Sequence, residues 1–118
     1  MSQGKGSKTM QEPRGLRFSL SAAAEIASEN SPTAKTPARV TELSLHGCFL
    51  ETSASFEEHR PVLVKIFNSE EYFEAEAAVL YVKPKGLGLV FREIKPHFRA
   101  ILQKWILAAL DRKLDGSS

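Results

Sequence analysis

The chain has 118 residues, a length that suits one domain able to bury a core without disulfides or a structural metal. Its hydrophobic fraction of 42% and charged fraction of 25% are those of an ordinary soluble globular protein. The formal net charge of +2 is too small to make DNA or an anionic membrane the main partner. An anion-binding site therefore requires a local cluster of basic side chains.

The cellular compartment is indicated by what the sequence lacks. No run of residues approaches the roughly 18 apolar residues that are needed to span a bilayer. The first eight residues lack the apolar segment of a signal peptide. Cys48 is the single cysteine and cannot form an internal disulfide, which is typical of a reducing compartment. We expect a cytoplasmic protein that does not insert into a membrane.

The N-terminal part of the chain divides into a tail and two strands. Residues 1–12 are polar and have no periodicity, which predicts a flexible tail ahead of one domain at residues 13–118. From Phe18 to Ala27 apolar side chains at every second position alternate with polar residues or alanine, the period of a half-buried strand. A turn cluster at Asn30–Thr33 separates this strand from the next, which is predicted from Ala38 to Ser44.

Four further strands are predicted by the same alternation and by turn residues between them. Gly47 is expected to supply the backbone freedom for a tight reversal, and residues 53–60 form a polar loop or at most one helical turn. The predicted strands are Cys48–Thr52, Pro61–Asn68, Glu71–Val82 and Leu87–Arg92.

The C-terminal residues change from a period of two to the spacing of an amphipathic helix. Apolar residues recur three and four positions apart, at Phe98, Ile101, Leu102, Trp105, Ile106, Ala109 and Leu110. Pro96 suits the first helical turn, and Gly116 is expected to end the helix. We predict a helix from Pro96 to about Leu114 that packs on the sheet through Phe98, Leu102, Trp105 and Ile106.

Two short segments resemble the signatures of the PilZ family. Pro13-Arg14-Gly15-Leu16-Arg17-Phe18 is similar to R-x-x-x-R before the first strand, and Glu42-Leu43-Ser44-Leu45-His46-Gly47 is similar to [D/N]-x-S-x-x-G at the second turn. Gly86–Phe91 resembles the last strand of the family, so that the resemblance covers nearly everything after Glu12. It implies an all-β fold, a six-stranded antiparallel barrel with a C-terminal α-helix, and binding of the bacterial second messenger cyclic dimeric GMP (c-di-GMP).

The resemblance also implies which residues bind this ligand: Arg14, Arg17, Glu42, Ser44 and Gly47. Arginine can hold a guanine Hoogsteen edge or a phosphate through two hydrogen bonds, and its planar guanidinium can stack on a purine. A carboxylate with a hydroxyl nearby can accept hydrogen bonds from the guanine N1–H and N2–H₂ groups. The sequence therefore offers the arginines just before the first strand and the carboxylate and hydroxyl at the end of the second strand.

Two departures from the family signatures leave two functions open. Arg14 and Arg17 are three residues apart instead of four, and Glu42 replaces the usual Asp or Asn. The first hypothesis is a sensor in which c-di-GMP orders Thr9–Arg17 and thereby presents a new surface to a protein partner. The alternative, which the departures favour, is an adaptor in motility or pilus assembly whose ligand site is degenerate, with Ser44 and Gly47 only building the turn.

Other kinds of site have weaker support. The three histidines and Cys48 lack the spacing of metal ligands. Ser44 lies outside any G-x-S-x-G motif, and Gly86-Leu87-Gly88 opens a strand instead of a helix. Aromatic and basic residues are too little interleaved for a surface that binds single-stranded nucleic acid. We therefore expect no catalytic residues, no metal and no cofactor, with c-di-GMP as ligand and a protein as partner.

Overall fold

The computed structural model describes the backbone of residues 17–117 and the side chains of residues 17–111. Six strands and one helix follow each other as β1 (Phe18–Ser28), β2 (Thr36–Leu43), β3 (Gly47–Glu51), β4 (Pro61–Asn68), β5 (Glu71–Lys83), β6 (Gly86–Glu93) and α1 (Pro96–Ser117). The strands close into a barrel in the order β1-β2-β3-β6-β5-β4, and each neighbouring pair is antiparallel. The predicted fold, a six-stranded antiparallel barrel with a C-terminal helix, is confirmed.

Element ends differ from the predictions by a few residues. β2 begins at Thr36, so Pro37 lies inside the strand, opposite Glu25 of β1. Proline is tolerated there because its missing N–H affects only the start of the strand ladder. The helix continues through Gly116, where its end was predicted, since glycine weakens a helix without forcing it to stop. The predicted tail and residues 9–16 of the Thr9–Arg17 segment lie outside the described residues.

The alternation in the strands places one set of side chains inside the barrel. Large apolar side chains with less than 2% exposure fill the interior, and they include Ile26, Val40, Leu50, Val62, Val64, Ile66, Phe73, Val79 and Leu87. Buried alanines at positions 22, 24, 75 and 77 lie among them. Small barrels have interiors that side chains fill completely, which is why small and large residues are mixed there.

Helix α1 packs against the barrel through the face that was predicted. Leu102 is completely buried, and Trp105 is 6% exposed. The ring of Phe73 lies 6.4 Å from that of Phe98 and 6.4 Å from that of Trp105, so the helix extends the barrel core. Leu110, which the periodicity had placed on the buried stripe, is 37% exposed and lies beyond the buried part of this face.

Candidate functional site

A cavity of about 200 Å³ opens beside the β2–β3 turn. Four of the five predicted ligand-binding residues line it: Arg17, Glu42, Ser44 and Gly47. They are brought together by the pairing of β2 with both β1 and β3. The fifth, Arg14, lies outside the described residues. The structure therefore places these four residues at one site, although they are up to 30 positions apart in the sequence.

Arg17 and Glu42 form an ion pair at the edge of this cavity. Arg17 Nη1 lies 3.4 Å from Glu42 Oε1, and the two side chains are 61% and 49% exposed. An exposed pair of this kind contributes only about 0.2–1 kcal/mol. Each bidentate contact of an arginine with guanine contributes about 1–3 kcal/mol, so a ligand can separate the pair at small cost.

Ser44 uses its hydroxyl inside the turn. Its oxygen accepts hydrogen bonds from the backbone N–H groups of His46 at 3.1 Å and Gly47 at 3.2 Å. Its proton faces the carbonyl oxygen of Gly47 at 3.3 Å, and its own backbone N–H donates to the same oxygen at 2.9 Å. A hydroxyl has one donor and two acceptor positions, and all three are occupied here. Ser44 therefore shapes the turn that carries the site.

Gly47 is required for a different reason from the one predicted. Its φ does not lie in the left-handed region, so the turn makes no use of glycine's backbone freedom. A Cβ added at Gly47 would instead lie 2.0 Å from the carbonyl oxygen of Leu89 on β6. The missing side chain allows β3 and β6 to approach closely at the floor of the cavity, and the predicted role of Gly47 is corrected accordingly.

An aromatic floor extends from Glu42 across the outer face of the barrel. Register pairs connect Glu42 to Phe49, Phe49 to Gly88, and Gly88 to Tyr81. The rings of Phe49 and Tyr81 are stacked, with centroids 6.3 Å apart and planes inclined by 25°. A Cβ added at Gly88 would lie 2.3 Å from a carbon of the Tyr81 ring, so the ring covers the glycine.

A bulge in β5 adds an exposed apolar side chain to this floor. The pairing of β5 with β6 shifts between Val79 and Tyr81, which leaves Leu80 between the two registers. Leu80 lines the cavity and is 53% exposed. Lys83 Nζ lies 5.4 Å from the centroid of the Tyr81 ring. The site thus combines a charged end at Arg17 with an apolar and aromatic end at Tyr81.

The aromatic floor was not predicted from the sequence. Phe49 and Tyr81 belong to different hairpins, and only the register of β3, β6 and β5 brings their rings together. The available signal was Gly88, because a glycine inside a strand often marks a place where another group approaches closely.

Cys48 also lines the cavity but carries no chemistry there. It is unpaired and buried, and burial raises the pKa of its thiol to about 12. Desolvation disfavours the thiolate, so the thiol stays protonated and unreactive at neutral pH. Cys48 therefore behaves as a small buried apolar residue.

The family is decided by a comparison of the sequence with protein-family models. The model described as PilZ domain matches residues 8–108. The chain belongs to the PilZ domain family. The match includes Arg14, the ion pair of Arg17 with Glu42, the Ser44–Gly47 turn and most of helix α1. The resemblance noted in the sequence is therefore confirmed.

Solved PilZ structures share the fold at low sequence identity. The PilZ domain of CeSA from a cellulose-synthesizing bacterium has 12% identity and a TM-score of 0.64, over 78% of this chain and 95% of that one. The PilZ domain of YcgR from Escherichia coli, solved with c-di-GMP, has 13% identity and a TM-score of 0.66, over 86% of this chain and 93% of that one.

A third structure is the inhibitor of motility MotI/DgrA from Bacillus subtilis. It has 19% identity and a TM-score of 0.66, over 84% of this chain. The PilZ domain described here spans about half of that protein, 50% of its chain. A search of curated proteins finds no match. No helix in the described part of the chain has the length and apolar character needed to cross a membrane.

Proposed function

We propose that this PilZ domain is a binding module, without enzymatic activity, that recognises c-di-GMP at the cavity beside the β2–β3 turn. The observation that carries the proposal is the meeting of Arg17, Glu42 and the Ser44–Gly47 turn at one cavity. These groups supply a cation for a phosphate or a Hoogsteen edge and a carboxylate for the guanine donors. The structure of the YcgR PilZ domain with c-di-GMP supports the choice of ligand.

The size of the cavity indicates how much of the ligand the described residues can contact. Its volume of about 200 Å³ is below the roughly 300–1,000 Å³ of pockets that enclose a drug-sized ligand. The described residues therefore hold one guanine and an adjoining phosphate. The guanine lies against Phe49, with its polar edge toward Glu42, and the aromatic floor excludes water from its face.

The rest of the ligand is held by the residues that precede β1. In the proposed mechanism Arg14 joins Arg17 on the phosphates, and the Thr9–Arg17 leader becomes ordered over the ligand. Charge-assisted hydrogen bonds offset the entropy lost by ordering the leader. The covered ligand and the ordered leader together form the surface that a protein partner recognises. Amide exchange of Arg14–Arg17 with and without c-di-GMP tests this step, since the mechanism requires protection to rise when ligand is added.

A calorimetric titration of the full 118-residue chain with c-di-GMP tests the function itself. We expect an exothermic isotherm with a Kd in the micromolar range or tighter, near −8 kcal/mol or below at about 1 μM. Cyclic GMP is the matched control, because it offers one guanine and one phosphate and should bind much more weakly. A flat trace with c-di-GMP at high concentration would refute the sensor.

The adaptor is the second candidate function. It is favoured by the Arg17–Glu42 ion pair, in which the two ligand-recognition groups satisfy each other, and by the three-residue spacing of the arginines. In that case the domain acts through protein contacts alone. A flat c-di-GMP titration by a chain that melts cooperatively would select this alternative.

A further inference from the structure

The charges at the cavity beside the β2–β3 turn do not balance those of the proposed ligand. Among the described lining residues, the acidic and basic side chains other than histidine are Glu42 and Arg17, and their charges cancel. Arg14 adds one positive charge in the mechanism proposed above. Because c-di-GMP carries two phosphodiester groups and therefore two negative charges, the site needs a further positive charge.

His46 is the lining residue that can supply this charge. Its side chain is exposed at the cavity, and histidine changes its charge between pH 5 and about 8. Within residues 17–111 the imidazole has no hydrogen-bond or ion-pair partner. The hydroxyl of Ser44 is used inside the turn, and Arg17 and Glu42 pair with each other. The imidazole is therefore available to a ligand.

The backbone of His46 is held in place from both sides. Its N–H donates a 3.1 Å hydrogen bond to the hydroxyl oxygen of Ser44, and its carbonyl oxygen accepts a 2.8 Å hydrogen bond from the N–H of Phe91 on β6. The backbone is thus ordered before any ligand arrives. Binding then requires only that the imidazole select one rotamer, which lowers the entropic cost of a contact with the ligand.

We propose that His46 is a further ligand-binding residue, whose protonated imidazole donates a hydrogen bond to a phosphate of c-di-GMP and makes binding tighter as pH falls. This inference rests on the proposed function and adds a contact to the five residues predicted from the sequence. A neutral imidazole has one N–H donor, whereas the protonated form has two and carries a charge that strengthens its bond to an anion. The complex therefore favours the protonated form, and this part of the affinity is lost as pH rises through neutrality.

The other titratable groups at the cavity do not change charge between pH 6 and about 8. The titratable side chains that share the cavity with His46 are Arg17 before β1, Glu42 of β2, Cys48 of β3 and Tyr81 of β5. In this range arginine and carboxylates are charged and tyrosine is neutral, and burial raises the pKa of the Cys48 thiol to about 12. From β6 only Gly88, Leu89 and Val90 line the cavity, and none of them titrates. The phosphodiesters of the ligand also stay ionised, so a change in affinity over this range reports on His46.

Calorimetric titrations of the full chain with c-di-GMP at pH 6 and at pH 8 test the proposal. The parent should bind about three- to fivefold more tightly at pH 6, the advantage of a charged over a neutral donor. His46→Gln keeps a hydrogen-bonding side chain without a titrating group, so its affinity should differ by less than about 1.5-fold between the two pH values. His97→Gln is the matched control, because His97 is exposed on α1 and does not line the cavity. This control should keep the pH dependence of the parent.

Two further readouts detect the proton and the contact directly. Titrations at pH 7 in buffers of different ionisation enthalpy should show that the parent takes up a fraction of a proton when it binds c-di-GMP, and that His46→Gln takes up none. In proton spectra the ring resonances of His46 should shift when the ligand is added, while those of His97 stay in place. A role of His46 limited to shaping the turn would produce neither the proton uptake nor its loss in the variant.

The possible outcomes separate this inference from the proposed function. Equal affinity of the parent at both pH values, or a His46→Gln variant that keeps the pH dependence of the parent, would overturn the role of His46 and leave c-di-GMP binding standing. Loss of the pH dependence in His97→Gln as well would indicate a general effect of histidine charge, which would also overturn it. An absence of binding at both pH values would refute the proposed function and this inference together.

Discussion

The indole Nε1–H of Trp105 donates a 2.9 Å hydrogen bond to Oε1 of Glu71, which joins helix α1 to the first residue of β5. Lys104 donates to the other carboxylate oxygen of Glu71. Neighbouring positions on one helix turn thus hold the same carboxylate, and this fixes the rotation of the helix about its axis. Both hydrogen bonds lower the pKa of Glu71, and the bond from Lys104 has the larger effect.

Replacing Trp105 tests whether helix docking stabilises the barrel. Trp105→Ala should lower the free energy of unfolding by about 3–5 kcal/mol, because it empties a buried site beside Phe73 and removes the bond to Glu71. Leu107→Ala is the matched control, since Leu107 lies on the same helix but is 61% exposed, and its effect should stay within about 0.5 kcal/mol. Urea denaturation of both variants measures the difference, and an unchanged midpoint for Trp105→Ala would contradict the docking.

Glu71 should contribute to stability in a pH-dependent way. A carboxyl whose folded pKa lies below its unfolded value stabilises the fold above the unfolded pKa, and this contribution is lost as pH falls through the folded pKa. For Glu71 the usual value is 4.5, so the contribution is present at neutral pH and disappears in acid below that value. Glu71→Gln should therefore lower Tm at pH 7, and the difference from the parent should shrink toward pH 3. A difference that is independent of pH would show that the charge of Glu71 has no role.

The sequence was sufficient for the fold because its periodicities are consistent with one another. Alternation in the strands, glycine and proline at the turns, and the three-four spacing after Pro96 all describe a barrel with a helix. The errors lie where periodicity carries little information, at element ends and at Leu110. Leu110 has the spacing of the buried stripe, but a side chain on this stripe is buried only where the helix still lies against the barrel.

The candidate site was less accessible to sequence reasoning. Arg17, Glu42, Ser44 and Gly47 were found through motifs, although these do not show that the hydroxyl of Ser44 is fully used within the turn. The stacking of Phe49 with Tyr81 depends on which residues of three strands become register partners. Local alternation fixes which face a side chain occupies but not its cross-strand neighbour, because that depends on long-range pairing and on bulges.

Gly47→Ala should disrupt the fold of the site rather than a single ligand contact. The added Cβ would meet the carbonyl oxygen of Leu89, a backbone atom that cannot rotate away, so β3 and β6 must separate. We expect a loss of stability of about 1–3 kcal/mol and weaker ligand binding as a consequence. Thermal melts combined with amide spectra of β3 and β6 measure this. A variant with parental Tm that has lost only ligand affinity would instead support a direct contact at Gly47.

Arg17→Ala should weaken c-di-GMP binding by about 1–3 kcal/mol, the contribution of one bidentate contact with guanine or phosphate. Its stability should change by less than about 1 kcal/mol, because the ion pair with Glu42 is exposed. Arg39→Ala is the control: Arg39 is a β2 arginine that donates a hydrogen bond to Ser21, and it does not line the cavity. Calorimetric titration of the parent, Arg17→Ala and Arg39→Ala with c-di-GMP measures the difference in affinity. Equal losses for Arg17→Ala and Arg39→Ala would indicate a general charge effect in place of a specific contact.

Glu42 distinguishes a working site from a degenerate one. If its carboxylate accepts hydrogen bonds from guanine, Glu42→Asp should retain or improve affinity, because one fewer rotatable bond is ordered. Glu42→Ala should weaken binding about 10- to 100-fold, since a hydrogen bond to a charged acceptor contributes about 1.5–3 kcal/mol. Both variants should change ligand affinity and leave the stability of the fold nearly unchanged, because the ion pair of Glu42 with Arg17 is too exposed to contribute much.

The opposite result at Glu42 has an equally definite meaning. Tighter binding by Glu42→Ala than by the parent would show that the longer carboxylate obstructs the cavity and competes for Arg17. The degenerate site would be established if the parent did not bind and a combined variant did. That variant carries Glu42→Asp and one residue inserted between Arg14 and Arg17, which restores both the shorter acceptor and the four-residue spacing of the arginines. Binding by the combined variant alone would locate the loss in these two departures, because the rest of the cavity would be unchanged.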